Sequence, residues 1–298
     1  MDGKLSRRFL RGLPVLLLMS TFATVVSPSQ AYAGDATTVC ATNPGASGIF
    51  RFDGSTWTGI GGGAIFIKGG GAGLIMMSSG AVPDVLLYRG TPGQWLTIAK
   101  PRNARTVFAV GDDAIYGVFG DPGKPGEVYQ WSGSGTKWNK IGPATWNIYA
   151  GGYGLFGVRS DGNIYRYLGS SRWELIGAPG LTFAVTDESV YGLTPDGNAI
   201  YRYSGSGTAW DWVGPGAWNI YAGGLGVFAN AKSDNGLWQY LNSPGSWRRV
   251  GGVGRDFAVG QFTMFGQSRD DNQVWRWNGA PDNWSLIGGA AREITPCP

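Results

Sequence analysis

The chain has 298 residues, among them 52 Gly, 14 Trp, 13 Tyr and 13 Phe, and only 15% are charged. That composition suits many short strands joined by tight turns; the glycines keep no three-residue period, which excludes collagen. Histidine is absent, which removes the commonest general base and metal ligand, and most of the net charge of +4 sits at the N-terminus, so it argues for neither a nucleic-acid nor a membrane partner.

Residues 1–33 read as a secretory leader. Lys4, Arg7, Arg8 and Arg11 form its basic part, and residues 13–26 an apolar run. That run is shorter than the ~18 residues of a membrane span. Ala31-Tyr32-Ala33 is an A-x-A cleavage site, so a mature chain starting at Gly34 is expected, with one domain over 34–298. Sec export is expected; Ser6-Arg7-Arg8-Phe9-Leu10 resembles a twin-arginine signal without its spacer, which makes Tat the alternative. Val39 before Cys40 argues against lipid attachment. The expected product is secreted, not inserted in a membrane, and monomeric.

Beyond the leader the chain repeats itself. Residues 143–177 and 215–251 match in nearly every marked position. Seven tryptophans, Trp57, Trp95, Trp138, Trp173, Trp210, Trp247 and Trp284, each stand three residues before an Ile or Val, usually followed by Gly, at intervals of 35 to 43 residues. Ahead of most of them lies an aromatic–polar–aromatic triplet, such as Phe50-Arg51-Phe52, Tyr165-Arg166-Tyr167 or Trp275-Arg276-Trp277; the second unit departs with Leu86-Leu87-Tyr88. Alternation places both aromatics on one face of a strand. Upstream again come turn signals, Ser160-Asp161-Gly162-Asn163 and Ser233-Asp234-Asn235-Gly236 among them, and two short apolar runs. One unit is therefore four short strands in about 37 residues, and the array predicts an all-β β-propeller of four-stranded blades.

The ends complete the count. The first unit lacks its first strand, and the closing stretch Gly-Ala-Ala-Arg-Glu-Ile-Thr-Pro aligns with first strands elsewhere. Seven blades are expected, the ring closed by strands from both chain ends. Units four and six share Trp-Asn-Ile-Tyr-Ala-Gly-Gly where units three, five and seven carry Phe-Ala-Val. This pairing leaves six blades with an appended strand pair as the alternative. Cys40 and Cys297 fall on adjacent strands of the closing blade, and export to an oxidising compartment predicts a disulfide between them. It is worth about 3–5 kcal/mol by the chain-entropy model.

The W-x-x-[IV]-G anchors, Gly216-Ala217-Trp218-Asn219 and the Asp-Gly or Asn-Gly hairpins resemble the tachylectin and tectonin families of propeller lectins across nearly the whole mature chain. The resemblance implies carbohydrate binding near blade junctions, often of N-acetylated amino sugars. Sugar faces stack on aromatic rings, and hydroxyls seek Asn and backbone groups. The pairs Trp146 with Asn147 and Trp218 with Asn219 are accordingly the expected carbohydrate-binding residues. They occur in two units only, whereas the anchors occur in all seven and read as scaffold. Trp212 is an extra aromatic, and Arg51, Arg166, Arg202 and Arg276 read as stems packed between units.

Catalysis finds little support. Glu127, Glu174, Glu188 and Glu293 do not recur in a motif, and most aspartates are turn residues. Asp53-Gly54-Ser55 lacks the Asp-x-Gly spacing of a sialidase Asp-box, and Asp270-Asp271-Asn272 reads as a solvated turn rather than a calcium loop. The expectation is a non-enzymatic, cofactor-free, multivalent lectin for glycans or glycoconjugates. A scaffold for a protein partner is the alternative, and a glycan-cleaving propeller the third reading, to be betrayed by carboxylates clustered at a central opening.

Overall fold

In the computed structural model the described residues, 38–101 and 105–298, form strands and no helix. They fall in one compact unit, Ala31–Pro298. The expected leader and its cleavage site lie outside the described residues.

Unit four shows how sequence makes the repeat. The third strand, Ile164–Tyr167, sets Tyr165 opposite Leu175 and Tyr167 opposite the anchor Trp173, with Arg166 opposite Glu174. Both tyrosines therefore share one face, as alternation demands. The turn before it is closed by Asp161, whose carboxylate accepts from the backbone and side-chain amides of Asn163 and from the Tyr165 hydroxyl. Units two, five, six and seven are each a four-strand antiparallel meander.

The chain ends behave as expected. Glu293–Pro296 pairs antiparallel with Val39–Thr42 and supplies the first strand of unit one. Cys40 and Cys297, 257 residues apart in sequence, are disulfide-bonded with their Cα atoms 5.2 Å apart. One boundary differs from the reading of separate strands. Trp138–Gly151 runs as a single 14-residue strand, its first part paired with Gly126–Trp131 and its second with Gly154–Arg159, so units three and four merge into a seven-stranded sheet. At the matching place before unit six the strand breaks at Gly216, where a Cβ would stand 2.6 Å from the Gly197 carbonyl oxygen; unit four has Ala144 there and its strand continues.

The seven anchors explain themselves once partners are assigned. Each indole Nε1–H donates to the carbonyl of the Ile or Val in the preceding anchor: Trp95 to Ile60, Trp138 to Ile98, Trp173 to Ile141, Trp210 to Ile176, Trp247 to Val213 and Trp284 to Val250, at 2.7 to 2.8 Å. Trp57 closes the series on Ile287 at 2.6 Å. The glycine after that Ile or Val lies against the incoming ring: a Cβ on Gly214 would stand 2.4 Å from Trp247 Nε1. The W-x-x-[IV]-G signature is thus one contact written from both sides. Buried apolar residues gather in clusters that each bridge two consecutive units, such as Phe156, Ile164 and Ile176 of unit four with Phe183, Val190 and Tyr203 of unit five.

The first strands of successive units touch in turn, and Glu293–Pro296 touches both Gly254–Val259 and Ala64–Gly70. Here the pairing of units acquires a cause. Gly70, Gly151 and Gly223 of units two, four and six lie against the backbone or side chain of Val110, Val185 and Val259 of units three, five and seven, with hypothetical Cβ atoms 2.5, 2.9 and 2.3 Å from the valine carbonyl oxygens. One partner gives up its side chain so that the two backbones can approach.

Candidate functional site

Trp146 and Trp218 sit on β-bulges. In unit six Ala217 pairs with Ala231 and Asn219 with Asn230, which leaves Trp218 unopposed; in unit four Thr145 pairs with Arg159 and Asn147 with Val158, which leaves Trp146. A bulge re-aims its extra residue, and Trp218 is 60% exposed and Trp146 36%. Ile65 and Arg255 occupy the same kind of position in units two and seven and are exposed too. None of these residues is needed to fill the core.

The adjacent asparagines bond within their own strands. Asn147 Oδ1 accepts the Ile148 N–H at 3.0 Å, and its amide donates to the Tyr149 hydroxyl at 3.0 Å. Asn219 Oδ1 accepts the Ile220 N–H at 3.0 Å, and Asp256 does the same for Phe257 at 2.8 Å. Each satisfies the amide that its bulge releases. Burial pushes the nearby Tyr221 phenol up to about 12, with the Asp256 charge adding to it. The structure therefore sets the two tryptophans toward solvent and ties the two asparagines to their own strands.

Around Trp218 a more elaborate arrangement appears. Its indole Nε1–H donates to Asn235 Oδ1 at 2.8 Å. The Lys232 ammonium lies 5.3 Å from the ring centroid. That ammonium is anchored across the unit boundary, donating to the Asp196 carbonyl at 2.8 Å and to Asn198 Oδ1 at 3.3 Å. The ring thus stands between the second turn of unit five and that of unit six. Asp196 turns its carboxylate into its own turn, where the Thr194 hydroxyl first, and then the Asn198 amide, hold its pKa below the usual range. Lys232 and Asn235 were not singled out from sequence as ligand-facing. The available signal was length: from Trp218 to Leu237 unit six has one residue more than unit four has from Trp146 to Ile164.

Trp212 is 45% exposed, opposite Tyr201 and beside Gly245 of the next unit. Arg166 lies over the Tyr153 ring at 4.0 Å and donates to its hydroxyl and carbonyl, and Arg51 donates to the Pro298 carbonyl; both are consumed by packing.

A second feature lies where the first strands end. A cavity of about 500 Å³ is bordered there by Val110, Asp112, Asp113, Asp187 and Gln261. Gln261 donates to Asp187 at 3.1 Å. Asp112 and Asp187 flank Gly152, whose hypothetical Cβ would stand 2.9 and 2.7 Å from their oxygens. Burial, then the neighbouring carboxylates of Asp187 and Asp113, raise the Asp112 pKa. Among the described residues no group of three or more Cys, Asp or Glu side chains is placed to hold a metal ion, and no helix is long and apolar enough to cross a membrane.

A family model described as the Tectonin domain matches residues 28–239. No curated protein matches the chain. Among solved structures, it is similar to the CRINKLY WD40 ectodomain of the Arabidopsis thaliana receptor kinase ACR4, with TM-score 0.57, 15% identity, and 85% of this chain and 95% of that one covered. It is similar to TolB from Acinetobacter baumannii, with TM-score 0.50, 14% identity, and 89% and 67% of the two chains covered. It is also similar to YCF48 bound to D1 peptide, with TM-score 0.50, 12% identity, and 72% and 77% covered. At these identities the likeness establishes architecture alone: an all-β fold of propeller type.

Proposed function

The chain belongs to the Tectonin domain family, and from that premise we propose that it is an exported, non-enzymatic lectin with seven blades. The blade count is supported by the seven indole-to-carbonyl bonds, the last of which joins Trp57 to Ile287. The lectin reading is carried by one observation: Trp218 offers an exposed ring that a bulge presents and Asn235 holds in place. A fixed aromatic face of this kind suits the apolar face of a pyranose. Trp146 on the matching bulge of unit four gives a second platform, and two weak sites on a rigid body gain by effective concentration on a glycan-bearing surface. N-acetylated amino sugars are the first ligands to test.

A glycan array with the wild type and with Trp146→Ala and Trp218→Ala tests it. Binding that falls about tenfold or more in either variant is expected; no wild-type binding, or binding untouched by both substitutions, refutes it. The acidic cavity favours one second reading, a basic peptide partner, in line with the peptide bound to YCF48. Retention of a basic peptide by the wild type and its loss in Asp187→Asn would establish that reading instead. Release of shortened oligosaccharides, abolished in Asp112→Asn, would establish catalysis.

A further inference from the structure

The Trp218 platform carries a cation built into it. Lys232 sits 5.3 Å from the indole centroid, in the range of a cation–π contact. Its ammonium has three N–H donors. Two are committed to neutral oxygens, the Asp196 carbonyl and Asn198 Oδ1. Among the described residues it forms no ion pair: the exposed pairs are Lys100 with Asp84, Lys124 with Asp121, Lys140 with Glu127, and Arg249 with Asp234 and Asp282. The carboxylate nearest in sequence to its acceptors, Asp196, is spent on Thr194 and Asn198. So the ammonium is held at a fixed place beside an exposed ring, with a donor and a full charge to spare.

Resting on the lectin reading of this site, we propose that the Trp218 site selects a pyranose bearing an anionic group, carboxylate or sulfate. The sugar ring stacks on the indole while the anion accepts the remaining Lys232 N–H. A charge-assisted bond of this kind is about twice as strong as a neutral one and is weakened by salt. Two anchoring bonds across the boundary between units five and six pre-organise the ammonium, so little lysine entropy remains to be lost on binding.

The test measures binding of the whole mature chain to three immobilised probes: an unsulfated glucuronate-containing oligosaccharide, a sulfated neutral-sugar oligosaccharide, and a neutral chito-oligosaccharide. Lys232→Met keeps the apolar stem and removes the charge; Lys232→Arg keeps the charge. Expected is roughly tenfold weaker binding of one or both anionic probes in Lys232→Met, retention in Lys232→Arg, unchanged binding of the neutral probe, and loss of the wild type's salt dependence. The two anionic probes separate carboxylate from sulfate. Binding of the neutral probe that Trp218→Ala abolishes, together with anionic binding absent or indifferent to Lys232→Met, overturns this inference and leaves the lectin reading standing. No binding of any probe overturns both. Equal thermal midpoints for the variants and wild type exclude misfolding as the cause.

Discussion

The seven anchor tryptophans and Trp218 differ in where the indole N–H goes. In the seven anchors it reaches a carbonyl of the preceding unit, so the residue staples neighbours. Trp173→Phe keeps a ring against Gly142 but orphans the Ile141 carbonyl. It should cost about 1–3 kcal/mol, read as a lower denaturant midpoint at unchanged slope. Trp218→Ala removes an exposed ring whose N–H goes to a turn side chain, and should move stability by no more than ~0.5 kcal/mol. A Trp173 variant as stable as wild type would remove the stapling role. The division between scaffold and candidate site was legible in sequence because anchors recur in every unit and Trp-Asn in two. The backbone bonds of the asparagines were not. A bulge exists only once two strands are paired, and Asn147 and Asn219 serve the bulge.

At the scale of the strand, regularity was easy to read and its interruptions were not. Alternating aromatics and Asp-Gly turns specify the four-strand meander locally, so the element order follows from the sequence. At Gly216 the strand breaks where the backbone passes close to the Gly197 turn of the preceding unit, a contact that no local pattern encodes. The alternation of Ala-Gly-Gly and Phe-Ala-Val units, in contrast, was visible but unexplained until the first strands were set side by side. Gly223 permits the approach of Val259, so Gly223→Ala must push backbone against backbone. Overpacking of this sort should cost about 1–3 kcal/mol. Gly252, exposed and with nothing within 4 Å of a hypothetical Cβ, is the control, and Gly252→Ala should leave the midpoint unchanged. Equal loss in both variants would point to glycine's backbone freedom rather than to the contact.

Over the whole molecule the weak point of a closed array is its seam, where strands from the two chain ends must meet without a covalent turn. Three devices hold Glu293–Pro296 in place: pairing with Val39–Thr42, side-chain acceptors offered to the next unit, and the disulfide. Glu293 accepts the Ile67 N–H at 3.0 Å and Thr295 the Gly69 N–H at 2.8 Å. Burial raises the Glu293 pKa; the Ile67 amide, Lys68 and Arg292 oppose the shift, and Asp256 reinforces it. A raised carboxylate pKa means that the fold disfavours the ionised form, so this group's contribution is best below the unfolded pKa and worsens as pH rises through the folded one. Glu293→Gln keeps an acceptor for Ile67 and removes the charge. It should therefore match wild type below about pH 4 and be the more stable protein at pH 7, as thermal midpoints across that range would register. A variant less stable at pH 7 would mean that the charge, not the acceptor, holds the seam. The disulfide acts on the other side of the equilibrium, by restricting the unfolded chain. The Cys40→Ala, Cys297→Ala double variant should lose about 3–5 kcal/mol, a drop on the order of 10 °C in Tm, with amide exchange rising first at residues 293–296. Exchange rising evenly over all units would mean that the ring opens as one cooperative body and has no seam. Exchange confined to that strand would mark the closure as the place where unfolding begins, because every other strand is joined by a turn to the neighbour it pairs with.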